Sequence, residues 1–276
     1  MINKKVKNIL QDIVTGSGRI TVLTGAGISA ESNIPTFRGP EGYWTIGSKA
    51  YHPQEMATYS MFMQKPEEVW KWYLYRIGVC ERAEPNSGHL ALVEMERRLN
   101  HRFTLITQNV DNLHIRAGSS LKHTFQIHGN IFFIRCADEC HVKLYPIPVD
   151  FREKRKKDQI LTETEIKLLE CPNCGSLTRP HVLWFDEMYN EHYYRYNSAL
   201  NIARQTDVLI IVGTSGATSL PNLVAWEVIE NNGFLIDINI EENTFSNLAL
   251  ASQRGIFVKG PSGEVLPNIL NLLTDY

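Results

Sequence analysis

Short, almost unbroken apolar runs alternate along this chain with longer segments of helical periodicity. Ile20–Thr24, Phe103–Thr107, Thr124–His128, Val208–Gly213, Phe234–Asn239 and Ile256–Lys259 are β-branched or aromatic runs of strand length, apolar on both faces. Between them, Lys65–Cys80, His89–Leu99, Leu223–Asn231 and Glu264–Leu273 repeat apolar residues every three or four positions, as amphipathic helices do. Asn86 or Ser87 can cap the second of these, and Gly233 closes the third. Ile2, Val6, Ile9, Leu10 and Ile13 predict a further helix at the N-terminus. Alternation of this kind predicts an α/β fold: a mostly parallel sheet with helices on both faces. Functional loops then belong at the carboxyl ends of the strands.

Two stretches break the alternation. Residues 39–85 read as helical, and residues 130–179 carry four of the five cysteines. Both are expected to be insertions that form a smaller domain, a helical module and a zinc-binding module. Residues 1–38, 86–129 and 180–276 are then left for the sheet domain. Cys136 and Cys140 enclose three residues, Cys171 and Cys174 enclose two, and thirty lie between the pairs. Two close pairs at such spacing suit a tetrahedral Zn2+ held by four thiolates, a closed and therefore structural site. His141 is the nearest alternative ligand, and Cys80 reads as a core residue on a helix. Paired ligand cysteines and an odd cysteine count argue for a reducing compartment rather than a disulfide framework.

Composition narrows the classes. A hydrophobic content of 43% over 276 residues supports a packed core, and 28 basic against 30 acidic residues give a net charge of −2. No overall field draws the chain to nucleic acid or to a membrane surface. The one dense basic run, Arg152 to Lys157, reads as a solvated face. The N-terminal segment lacks the apolar run of a secretory signal, no segment is apolar for long enough to span a bilayer, and the cytoplasm is the expected location.

Candidate chemistry gathers after the predicted strands. Gly25-Ala26-Gly27-Ile28-Ser29 follows Ile20–Thr24, and Phe37-Arg38 lies a few residues on. Glycines let a backbone approach phosphate closely, and a helix start offers N–H groups to it. Gln108-Asn109-Val110-Asp111 follows Phe103–Thr107. His128-Gly129 ends another run, where an imidazole can act as a base near neutrality. Gly213-Thr214-Ser215 offers phosphate donors after Val208–Val212, and Asn239-Ile240-Glu241 puts an acidic group within reach of a ribose diol. The dehydrogenase fingerprint Gly-x-Gly-x-x-Gly is absent, because position 30 is Ala.

In this order the motifs resemble the sirtuins, NAD-dependent protein deacylases. The resemblance runs from about residue 18 to residue 270. It rests on Gly25–Ser29, Ile34-Pro35 and Phe37-Arg38; on Thr107–His114, Ala117-Gly118 and His128-Gly129; and on the four cysteines. Arg179-Pro180, Phe185-x-Glu187, Gly213–Ser215, Asn239-x-Glu241 and Val265–Pro267 follow. It implies a Rossmann-like NAD-binding domain beside a smaller zinc-binding and helical domain, with an acylated-lysine protein substrate in the cleft. NAD is then consumed. The acyl oxygen attacks C1′ of the nicotinamide ribose, nicotinamide leaves, and lysine and O-acyl-ADP-ribose are the products. By the same resemblance His128 is the general base, and Asn109 and Asp111 position the ribose and the nicotinamide amide. Gln108 contacts ribose, Phe37 screens the reactive carbon, and Arg38 holds phosphate or ribose. Gly25, Ala26, Gly27, Ser29, Gly213, Thr214, Ser215, Asn239, Glu241 and Ser262 line the dinucleotide, while Val182 and Phe185 meet the substrate. An NAD glycohydrolase or an ADP-ribosyltransferase on the same fold is the alternative.

A narrower resemblance concerns the acyl group. Trp70–Arg76 looks like the helix of sirtuins that remove succinyl, malonyl and glutaryl groups, and Tyr73 and Arg76 match their Tyr-x-x-Arg pair. Spacing of i, i+3 puts both on one helix face, where Arg can grip a carboxylate and Tyr can donate to it. Ala57 matches a small residue that widens the acyl pocket, and Thr36 also agrees with that group. The chain departs from the family at three places. Asn33 stands for a usual glycine, although Asn tolerates positive φ. Asp186 stands for the glycine of Phe-Gly-Glu, where a carboxylate is expected to repel acidic peptides or to alter the backbone. The segment after Ser215 is about one residue longer than usual.

Overall fold

The structure is a computed structural model that describes residues 4–36, 53–153, 155–156 and 159–273. Phe37 and Arg38 lie outside the described residues. The described strands are β1 (Ile20–Thr24), β2 (Phe103–Thr107), β3 (Thr124–Gln126), β4 (Gly129–Cys136), β5 (Tyr145–Pro146), β6 (Thr178–Val182), β7 (Val208–Val212), β8 (Phe234–Asn239) and β9 (Gly255–Lys259). Six of them form one sheet in the order β3-β2-β1-β7-β8-β9, parallel throughout.

Alternate residues of the same strands build two separate cores. Ile20, Val22, Leu105, Ile210 and Ile236 face the helices Lys4–Thr15, Ser87–Leu99 and Ser262–Leu272. Leu23, Ile106, Leu209, Ile211 and Leu235 face the helices Tyr196–Ala203, Ser219–Glu230 and Thr244–Ala251. Burial on both faces is why these strands read as continuous apolar runs. The strand order reverses between β1 and β7, and a crevice at their carboxyl ends is where such a sheet binds ligands.

The second sheet is small and antiparallel, in the order β5-β4-β6. With the helices Pro53–Met56, Tyr59–Gln64 and Pro66–Arg82 it encloses a third core around Trp70, Tyr73, Phe132, Phe151 and Trp184. Boundaries drawn after residues 129 and 179 fall at the start of β4 and within β6, strands that pair with each other. β4 was not anticipated as a strand. The expected strand Thr124–His128 stops at Gln126, because Ile127 and His128 turn into Gly129 at φ +84°. A Cβ at Gly129 would lie 2.1 Å from the His181 carbonyl oxygen, so only glycine lets β4 meet β6 there.

Helix ends follow local chemistry. The Asn86 side chain accepts from the N–H groups of Gly88 and His89, so Asn86 and not Ser87 is the cap of its helix. Gly233 was expected to close Ser219–Glu230, but Asn232 takes the left-handed conformation (φ 66°). Gly233 is needed for space: a Cβ there would lie 2.4 Å from Val228 Cγ1. Asn33 is left-handed too, at φ 60°. No described helix is long and apolar enough to cross a membrane.

Candidate active site

The glycine loop after β1 packs directly on the loop after β7. A Cβ on Gly27 would lie 2.6 Å from Gly213 Cα, and one on Gly25 would lie 2.6 Å from Thr214 Cβ. Gly213 itself has φ +60°. Gly27 N–H donates to the Gly213 carbonyl at 2.8 Å, and Gly25 N–H to the Val212 carbonyl at 2.9 Å. Two backbones without side chains therefore line the switch point, a cradle that suits a pyrophosphate. Ala26 opens the short helix Gly27–Ala30 that follows. Asn239 Nδ2 donates to the Thr214 carbonyl at 3.0 Å, while Ser215 and Glu241 are exposed at the rim. Ser262 Oγ donates to Glu31 Oε1 at 2.8 Å, and Gly263 N–H donates to the same oxygen at 2.9 Å. Glu31 thus ties the glycine loop to the last helix, a role that no sequence motif signalled.

The polar cluster after β2 reaches into the same crevice. Ser29 Oγ donates to Asp111 Oδ2 at 2.7 Å and accepts from Asn109 Nδ2 at 3.0 Å. Asp111 Oδ1 accepts the Leu113 N–H at 2.9 Å, and Asn112 is left-handed at φ 67°, which turns the chain into the next helix. Burial raises the Asp111 carboxyl above its ordinary range, opposed by those two hydrogen bonds and by the Arg76 and Arg116 guanidinium groups. Gln108 Nε2 donates to Thr214 Oγ1 at 2.9 Å, and its Oε1 accepts from Thr218 Oγ1 at 3.0 Å. The side chain of Gln108 therefore bridges the loops after β2 and β7.

His128 closes the floor. Its Nδ1 lies 3.1 Å from the Gln108 carbonyl, which can only accept, so Nδ1 carries the proton and Nε2 presents a lone pair. Tyr189 OH meets that lone pair at 2.7 Å. Burial pushes the imidazole pKa down to about 4, with the Gln108 carbonyl opposing, so the ring is a neutral base at physiological pH.

The small domain abuts this floor. Leu183 N–H donates to the His128 carbonyl at 3.0 Å, and Phe185 N–H to the Ala57 carbonyl at 3.0 Å. Val182 and Ala57 are buried, and Phe185 is exposed. Glu187 anchors this segment. Arg179 grips both its oxygens, Arg135 reaches Oε1 at 3.4 Å, and Trp184 N–H donates to Oε2 at 2.9 Å. Asp186 is engaged within the small domain. Its carboxylate accepts the N–H groups of Tyr59 at 2.7 Å and Ser60 at 3.0 Å, the first turn of the Tyr59–Gln64 helix. Tyr73 and Arg76 are both buried, with the guanidinium carbon 5.3 Å from the Tyr73 ring centroid. Tyr73 OH accepts from Trp184 Nε1 at 2.8 Å, which leaves the phenolic proton for donation. Burial lowers the Arg76 pKa to about 9, with the Asp111 carboxylate among the groups opposing it, so Arg76 stays cationic at pH 7.

Cys136, Cys140, Cys171 and Cys174 come together, their sulfurs all within 4.8 Å. Cys136 and Cys174 are 3.6 Å apart, and Cys140 and Cys171 are 3.7 Å apart. Four thiolates at a Zn–S distance of about 2.3 Å define tetrahedron edges of about 3.8 Å, whereas a disulfide needs about 2.05 Å. The donor set therefore fits Zn2+. His141 Nε2 sits 3.5 Å from Cys171 Sγ and 3.2 Å from Tyr145 OH, beside the four sulfurs.

Fold and site together define an α/β dinucleotide-binding protein with a buried Asn–Asp pair, a half-buried His beside it and a four-cysteine metal module. The chain belongs to the Sir2 family, whose model matches residues 25–219. It is 40% identical to an NAD-dependent protein deacylase of Leptospira interrogans over 93% of this chain and 94% of that protein. It is 38% identical to an NAD-dependent protein deacylase of Pyrococcus abyssi, with 94% of each covered. Among solved structures it is similar to a Sir2 homologue in complex with NAD, with a TM-score of 0.79 and 33% identity, covering 99% of this chain and 94% of that one.

Proposed function

We propose that this protein is an NAD-dependent protein-lysine deacylase that accepts acidic acyl groups such as succinyl and malonyl. Family membership supports the deacylase reading, and the observation that carries the acyl reading is the buried Tyr73–Arg76 pair beside Asp111. The glycine loops at Gly25–Gly27 and Gly213 would hold the dinucleotide phosphates, with Gln108, Asn109 and Asp111 around its ribose and amide. When bound, NAD supplies a cleavable C1′–nicotinamide bond and a ribose that takes the acyl group. His128, neutral and with Nε2 as its acceptor, takes the proton of a ribose hydroxyl. Asn109, Ser29 and Asp111 form a preorganised chain of hydrogen bonds that needs no rearrangement to orient its ligand.

Arg76 is buried and cationic beside the Tyr73 ring, so an acyl carboxylate brought to it makes a charge-assisted contact in a low-dielectric site. Tyr73 donates the neighbouring hydrogen bond, and Ala57 keeps the wall small. Glycohydrolysis or ADP-ribosyl transfer as the main activity drew on Asp186, and that carboxylate is engaged by the Tyr59 and Ser60 N–H groups. The test of acyl choice is Arg76→Met. Loss of a charge-assisted bond is worth about 1.5–3 kcal/mol, a fall of roughly 10- to 150-fold in kcat/KM for a succinyl peptide, with the acetyl peptide little changed. Equal effects on both peptides refute the carboxylate clamp.

A further inference from the structure

The contact between Tyr189 and His128 lies outside the motifs that carry the resemblance, none of which includes position 189. The chain is pinned on either side of Tyr189, two residues before it at Glu187 and directly after it at Asn190. Glu187 is held by Arg179, and Asn190 caps the Glu191–Tyr194 helix by accepting the Tyr193 N–H at 2.8 Å. The Tyr189 ring packs 6.3 Å from that of Tyr196 and is half-buried. Its hydroxyl is thereby aimed at His128 Nε2, and it also adjoins Thr218, whose own hydroxyl donates to Gln108 Oε1. Tyr189, Thr218, Gln108 and His128 form a closed polar ring around the base. Thr218 belongs to the segment after Ser215 that is longer than usual for the family.

We propose that Tyr189 is a positioning residue that occupies His128 Nε2 in the nucleotide-free protein, and that the ribose hydroxyl of NAD must displace it to reach the base. The proposal rests on the reading of His128 as the base. The Nε2 lone pair accepts one strong hydrogen bond, so the phenol and a ribose hydroxyl compete for it. Displaced, the phenol turns to Thr218 or to water. Nucleotide entry therefore has to break the Tyr189–His128 hydrogen bond, and the same bond favours the neutral imidazole. Tyr189 is the titratable side chain in contact with the ring, and burial and the Gln108 carbonyl otherwise set its proton affinity.

Tyr189→Phe keeps the ring and removes the hydroxyl. NAD binding by calorimetry should tighten about three- to tenfold, the equivalent of one net hydrogen bond. The His128 pKa, followed by NMR of the imidazole in the nucleotide-free protein, should rise by about half a unit to one unit. In a His128→Ala background the same substitution should leave NAD affinity unchanged, because the partner is gone. A merely structural tyrosine would give neither the tighter NAD binding nor the raised His128 pKa. Unchanged or weaker NAD binding in Tyr189→Phe, with His128 titrating as in the parent, overturns the proposal. Failure of the base assignment is a different result: His128→Ala would deacylate at the parent rate, a turnover measurement on which neither the calorimetry nor the NMR depends.

Discussion

Asp237 offers a sharp test of how this fold treats charge. It sits in β8, two residues before Asn239, fully buried between the sheet and the Thr244–Ala251 helix. Oδ2 accepts from Asn243 Nδ2 at 2.7 Å, and Oδ1 has no partner among the described residues. Burial raises the carboxyl from 3.8 to about 7, with the Asn243 bond opposing. Because the folded value lies above the unfolded one, the group's contribution to stability is fully present below pH 3.8 and is lost as pH rises to about 7. At about 1.4 kcal/mol per unit, linkage gives a loss of roughly 2 kcal/mol by pH 5 and roughly 4 kcal/mol by pH 8. The parent should therefore lose roughly 2–3 kcal/mol between those two conditions through this one side chain. Asp237→Asn keeps the shape and the Asn243 contact but carries no charge. Urea titrations of both proteins at pH 5 and pH 8, analysed at constant m, measure the difference. Asp237→Asn should gain about 2–3 kcal/mol relative to the parent on going from pH 5 to pH 8. A difference that is the same at both pH values would refute the reasoning, since the carboxyl would then be ionised or neutral throughout.

Two further outcomes follow from contacts already described. Glu187→Gln leaves Arg179 buried without its carboxylate and should destabilise the protein by about 3–5 kcal/mol, seen as a lower urea midpoint; a change below about 0.5 kcal/mol contradicts the anchoring role. A strong chelator should remove one equivalent of zinc and lower the melting temperature, since a closed four-thiolate site contributes folding energy. An unchanged melting temperature after complete zinc loss contradicts the structural reading of the cluster.

Much of the main sheet was legible because its central strands β1, β2, β7 and β8 are buried on both faces. Continuous apolar runs gave β1, β2 and β8 with their observed ends. β4 was missed for the opposite reason. Its Gly-Asn start and its Arg-Cys end carry no strand periodicity, and its pairing with β6 is fixed by Gly129 at close range rather than by local preference. The short helices Glu191–Tyr194 and Thr244–Ala251 are set by the side-chain caps Asn190 and Asn243, signals too brief for a periodicity to show.

At the site, spacing alone brought the four cysteines together, because metal ligands are read from sequence distance. Motif order brought Asn109, Asp111 and His128 to the carboxyl ends of the strands, but it could not give their contacts. Ser29 as the bridge between Asn109 and Asp111 needs a loop after β1 to meet a loop after β2, which only the parallel pairing of those strands provides. Tyr189 meets His128 from 61 positions away, on a segment that Arg179 in β6 holds through Glu187. Asp186 read as an intruding charge because the helix start that receives it lies 126 positions away in sequence.

The central claim is that this site cuts NAD in order to remove acyl groups from lysine, with acidic acyl groups accepted through Arg76 and Tyr73. The most direct measurement gives the purified protein NAD together with acetyl-, succinyl- or malonyl-lysine peptides, and follows peptide mass and nicotinamide in the same sample. The account predicts loss of the succinyl and malonyl groups with one nicotinamide released per lysine freed. Nicotinamide release while every peptide keeps its mass would contradict it.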